Sequence, residues 1–171
     1  GRQSVHTYLG SDQQRAKWWD FFREKLCQGR QGYVITPRVE QSESLVASSL
    51  QEAFEQLANG ELEAFRLDLI YGSMSPAEKA AAMDSFRGGQ TQVLVATSVV
   101  EVGIDVPNAT VMTIEGGEVF GLAQLHQLRG RISRGAHPGY VCVFANPPSP
   151  DAGRRLEAFA ETTDGFQLAE T

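Results

Sequence analysis

Six short apolar runs, separated by amphipathic stretches or loops, set the tightest limit on how this chain can fold. They are "SVHTYL" (4–9), "GYVIT" (32–36), "FRLDLIY" (65–71), "QVLVAT" (92–97), "ATVMTIE" (109–115) and "GYVCVF" (139–144). Runs rich in valine and isoleucine with little polar alternation suit a parallel sheet covered on both faces. Between them, residues 12–28 place Trp18, Trp19, Phe22 and Leu26 on one helical stripe. Residues 42–58 do the same with Val46, Leu50, Ala53, Phe54 and Leu57. A third helix opens at "SPAE", with Ser75 as N-cap, Pro76 at the first helical position and Glu78 closing a capping box; "RGG" at 87–89 ends it. The alternation implies an α/β fold: a doubly wound, mostly parallel sheet with helices on both faces and right-handed crossovers. After the proline-rich "ANPPSP" (145–150), "DAGRRLEAFAETTDG" reads as a short C-terminal helical appendage without a second core.

The chain has 171 residues, 42% of them hydrophobic, enough for one domain with a real core. Fifteen basic against 21 acidic side chains give a formal charge of -6, which argues against holding nucleic acid by bulk electrostatics and leaves room only for local basic patches. Cys27 and Cys142 show no CxxC or Cys/His spacing, so neither a disulfide framework nor a metal site is expected. Cys142 reads as a small core hydrophobe, and the tryptophan pair as core packing with an interaction surface as the alternative. The first ten residues lack the apolar stretch of a signal peptide, and no run approaches the ~20 residues of a membrane span. The expected compartment is cytoplasmic, with no membrane partner.

The segment "QLHQLRGRISRG" (124–135) concentrates three arginines in this acidic chain. On a helical wheel over 122–134, Leu122, Leu125, Leu128 and Ile132 share one side. Gln124, Gln127, Arg131 and Arg134 gather opposite, within roughly 80° at about 100° per residue. Arg129 falls toward the apolar margin, where it could snorkel or pair with a carboxylate. Guanidinium groups one turn apart form a forked donor array suited to phosphate, and Gly135 is expected to end the helix. In "ATSVVEVGIDVPNAT" (96–110), Thr97 and Ser98 stand at a strand's end with hydroxyls and backbone N–H groups, and Gly103 permits a tight course. Asp105 either caps a turn before Pro107 or accepts from a ribose hydroxyl or an arginine. There is no GxxxxGK[ST] and no Asp-Glu pair. Arginines that face an anion without a phosphate cradle make sense if the cradle lies on another domain.

These motifs resemble those of the second RecA-like motor domain of superfamily 2 helicases, and most closely the RecG family of branched-DNA helicases. "VLVATSVVEVGIDVPNATVMTIE" is similar to motif V and its following strand, "FGLAQLHQLRGRISRG" to motif VI with its lead-in, "RQGYVITPRVEQSE" to the motif IV region, and "DGFQLAE" favours the same family. The resemblance implies a RecA-like helicase C-terminal domain over 1–146 and a short helical extension over 147–171, cut before the rest of the family's C-terminal segment. It implies Arg134 as the principal arginine finger with Arg131 beside it, Gln127, Gly103 and Asp105 near ATP, and Thr36, Arg38, Thr97 and Ser98 on the DNA backbone. ATP and Mg2+ would be held mainly by a first motor domain outside this chain, so this chain alone should hydrolyse nothing. The implied partners are that first RecA-like domain, a wedge domain, and branched DNA such as forks and Holliday junctions. Ser133 stands where the family usually has glycine, and "YGSM" (71–74) replaces His-Gly-Arg-Met, removing a basic side chain. The motor of a transcription–repair coupling translocase is the nearest alternative, and a non-catalytic phosphate- or nucleotide-binding module the alternative from another class.

Overall fold

In a computed structural model, which describes residues 5–38, 42–97, 106–132, 136–146 and 149–161, the six expected strands form one sheet. They are β1 (Val5–Gly10), β2 (Gln31–Ile35), β3 (Leu67–Ile70), β4 (Val93–Ala96), β5 (Ala109–Ile114) and β6 (Gly139–Phe144), in the order β1-β6-β5-β2-β4-β3. Each neighbouring pair is parallel, as the unbroken apolar runs require. The helices are α1 (Arg15–Cys27), α2 (Glu43–Ala58), α3 (Pro76–Arg87), α4 (Leu122–Arg129) and α5 (Pro150–Glu161).

Two apolar layers flank the sheet. Beneath α1 and α2 lie Trp18, Trp19, Phe22, Leu26 and Leu50, packed on Val34, Val95, Val111, Cys142 and Phe144. On the other face Phe86 of α3, Leu125 and Leu128 of α4, and Leu156 and Phe159 of α5 cover Tyr33, Met112, Ile114, Val141 and Val143. The fold is therefore a RecA-like doubly wound α/β domain. Both tryptophans are core, and the Trp18 indole donates to Thr113 Oγ1 at 2.8 Å, pairing its one polar atom inside the layer. Burial pushes the Cys142 thiol well above its ordinary range. The start of α3 is as expected: the Glu78 amide donates to Ser75 Oγ at 3.1 Å, and the Ser75 amide to Glu78 Oε1 at 3.2 Å.

Two local expectations change. The helix expected over 122–134 stops at Arg129, with Gly130 as its C-cap. Glycine holds a helix poorly, and here the pattern tightens: the Arg131 amide reaches Leu128 O at 3.1 Å and the Ile132 amide Arg129 O at 3.0 Å, both three residues back. Arg131 thus rides on a tight turn rather than on the wheel position assigned to it. Gln124, grouped with it on that wheel, instead accepts from the Gly121 amide at 3.0 Å and caps the start of α4. The short C-terminal helix α5 buries Ala152, Leu156 and Phe159 against the main core and supplies no second one.

Candidate functional site

The sheet order places the crevice. From β2 the chain leaves toward β3 on one side, and from β5 toward β6 on the other, although β2 and β5 are adjacent. Beyond the carboxyl ends of the strands at such a reversal an open α/β sheet leaves room for a ligand. Thr36 and Arg38 follow β2 there, and Thr97 follows the neighbouring β4. The Thr36 amide donates to Ala96 O at 2.9 Å, so the two strand ends are tied together. Thr97 is buried, Thr36 half-buried and Arg38 exposed. Three of the residues read as phosphodiester contacts therefore share one edge.

Gln127 and Arg131 do not share it. Eight residues of α4 at about 1.5 Å each carry the chain about 12 Å back along the sheet. The helix ends over Thr7, in the middle of β1. Gln127 is exposed on α4 and Arg131 half-buried on the turn beyond it. The remaining residues named from the sequence, Ser98, Gly103, Asp105 and Arg134, lie outside the described residues.

Arg129 does not snorkel to water at the apolar margin. It is only 8% exposed, and its guanidinium donates to Phe159 O at 2.7 Å and Thr7 Oγ1 at 3.2 Å. It lies over an aromatic face, 4.2 Å from the Phe159 ring centroid, and meets His126 Nδ1 at 2.7 Å. Desolvation lowers its pKa from the ordinary arginine value, and burial followed by the Arg129 charge lowers that of His126. A neutral imidazole can accept the guanidinium's hydrogen bond, which fits that direction. The side chain thus clamps α5 and β1 to the last turn of α4, two residues before Arg131.

A second arginine, unremarked in the sequence, organises the other edge of the crevice. Arg15 makes a two-pronged pair with Glu115, Nη1 to Oε2 at 2.7 Å and Nη2 to Oε1 at 2.8 Å, while its Nε reaches Asp12 at 3.0 Å. The Glu115 hydrogen bonds come first among the causes that raise the Arg15 pKa. The guanidinium also sits 4.1 Å from the Phe144 ring centroid. It lines a cleft of about 440 Å³ at the carboxyl ends of β1, β5 and β6, with Ser11, Gly116, Glu118 and Asn146. Gly116 turns the chain there with φ of 59°, and a Cβ on it would stand 2.7 Å from Pro37 Cγ, so the loops after β5 and β2 abut. The signal was a carboxylate directly after "ATVMTI"; its partner lies 100 residues away and leaves no local trace. With its arginine committed to carboxylates, this cleft has little to offer an anion. Among the described residues no group of three or more His, Cys, Asp or Glu could hold a metal, and no helix is long and apolar enough to cross a membrane.

Residues 20–136 match the helicase conserved C-terminal domain. The chain belongs to that family. Over 99% of its length it is 44% identical to the ATP-dependent DNA helicase RecG of Synechocystis sp. and 42% identical to that of Escherichia coli. It spans 20% and 25% of those two proteins, respectively. A solved structure of RecG bound to a three-way DNA junction superposes with a TM-score of 0.80 at 39% identity, over 97% of this chain and 21% of that one. The chain is thus homologous to the C-terminal helicase domain region of RecG. The C-terminal domain of yeast Dbp5 shares the fold, with a TM-score of 0.55 at 15% identity over 96% of this chain and 88% of that one.

Proposed function

We propose that this chain is the second motor domain of an ATP-dependent branched-DNA helicase, acting in repair and recombination by reversing forks and migrating Holliday junctions. The observation that carries the reading is likeness to RecG along almost the entire chain, motifs included. The substrates would be ATP with Mg2+, gripped mainly by a first RecA-like domain, and branched DNA presented with a wedge domain. Arg134 and Arg131 would approach the phosphates from the turn after α4, with Gln127 and Asp105 orienting them and Gly103 leaving room. Forked, permanently charged donors stabilise charge developing on a transferred phosphoryl group. Thr36, Arg38, Thr97 and Ser98 would hold the DNA backbone, and the juxtaposition of β2 and β4 supports a shared contact surface. Opening and closing against the first domain would then shift that surface along the duplex.

In the full-length protein, Arg134→Ala should lower DNA-stimulated ATP turnover by about 10³-fold or more while ATP binding persists, the scale of losing an arginine finger. Turnover near wild type would remove Arg134 from that role. The 171-residue chain alone should show no DNA-stimulated hydrolysis, and measurable turnover by it would overturn the two-domain reading.

A further inference from the structure

At the end of the sheet opposite Thr36 and Thr97 lies a second, smaller pocket of about 120 Å³, lined by Lys25, Gln28, Arg30, Thr110, His137 and Tyr140 among others. Its walls come from the close of α1, the amino end of β5 and the approach to β6. None of these residues belongs to the helix or loops assigned to ATP or DNA above.

The turn carrying Arg30 is held from both sides. The amides of Gln28, Gly29 and Arg30 return to the carbonyls of α1, with Arg30 N to Lys25 O at 3.0 Å. Gly29 adopts φ of 93°, and Asn108 Nδ2 donates to its carbonyl at 2.8 Å. Asn108 also meets Gln31 Oε1 at 3.0 Å, and Gln31 Nε2 is spent on Phe86 O and Thr91 O at 2.7 and 2.9 Å. The pocket wall is thus braced by a chain of side-chain amides reaching into the core.

Its charged donors, by contrast, are at most partly engaged. The half-buried Arg30 guanidinium has no ion pair or hydrogen bond among the described residues. Lys25 Nζ lies 5.2 Å from the ring centroids of Phe21 and Tyr140 and makes only a long 3.4 Å contact with Gln28 Oε1. No carboxylate lines the pocket, in a chain whose formal charge is -6.

We propose that this pocket binds a phosphoryl oxyanion, with Lys25 and Arg30 as its charged donors. At about 30 Å³ per water its volume equals about four waters, room for one tetrahedral oxyanion but not for a whole nucleotide. A free phosphate, the phosphate tail of a nucleotide and a phosphodiester share that chemistry. A guanidinium suits all three.

The test is a titration of the 171-residue chain with inorganic phosphate, followed by amide chemical shifts, with sodium chloride at matched ionic strength as control. Saturable shifts at Arg30, Thr110 and His137, with a dissociation constant of about 1 mM or tighter, are expected. Arg30→Gln and Lys25→Gln should each weaken binding about tenfold or more while the cooperative melt is retained, and Arg87→Gln should not weaken it. ATP and a single-stranded oligonucleotide form the other two arms; whichever moves the same amides at lower concentration, and is displaced by phosphate, identifies the source. Shifts that fail to saturate, that chloride reproduces, or that survive both substitutions would overturn the proposal. The outcome is independent of the Arg134→Ala measurement, which reads turnover and not this pocket.

Discussion

The two faces of the sheet are closed in different ways. Under α1 and α2 the layer is aromatic: Trp18, Trp19, Phe22, Tyr8 and Phe144 pack together, and the Trp18–Thr113 hydrogen bond settles the one indole donor fully buried there. Under α3, α4 and α5 the layer is mostly aliphatic, yet beside it sits Arg129, the one buried charged residue among those described. An apolar layer depends on fit alone, whereas a buried guanidinium must be matched by acceptors held in place. The first face is therefore a scaffold. The second ties the position of α5 to the turn that carries Arg131.

The largest effect should come from the joint on the second face. Phe159→Ala removes a fully buried ring and uncovers the Arg129 guanidinium, and should cost about 3–5 kcal/mol in urea unfolding. In the full-length protein it should also lower ATP turnover; a stability loss with unchanged turnover would break the link between α5 and the Arg131 turn. On the first face, Trp18→Phe orphans the Thr113 hydroxyl and leaves a small void, costing about 2 kcal/mol by the same measurement. Turnover there should be unaltered, and a parallel loss would make both faces functional. The smallest effect is in pH. Burial and Arg129 lower the His126 pKa from 6.5, so between the folded and unfolded values the unfolded chain binds more protons. Stability from this residue is fully present above pH 6.5 and falls as the pH drops through the window below it. His126→Gln should flatten that part of the stability profile, and a profile identical to wild type would show that the imidazole does not titrate against Arg129.

How much of this is legible in sequence depends on the distance over which each feature is decided. The six strands are written in local runs, and the start of α3 in four consecutive residues, so both read directly. The end of α4 is harder, because the helical periodicity runs on toward Arg134 while Gly130 hands the backbone to three-residue turns. Gln124 looked like part of an anion-facing row and instead caps its own helix. Arg129 and Arg15 find their partners far along the chain: Thr7 lies 122 residues from the first, Glu115 100 residues from the second. Periodicity can place such side chains at a margin but cannot choose their acceptors. Thr36 and Thr97 were named for the same partner separately; only the pairing of β2 with β4 makes them neighbours.

The pairing of β1 with β6, Val5 opposite Gly139 and Gly10 opposite Phe144, has a consequence for biogenesis. A ribosome delivers β1 long before β6, its one partner among the described strands, so β1 must wait without that partner through most of the domain's synthesis. Closure of the sheet at that edge becomes a late event, and a nascent chain stalled before residue 139 would carry both an idle strand and an open ladder on β5.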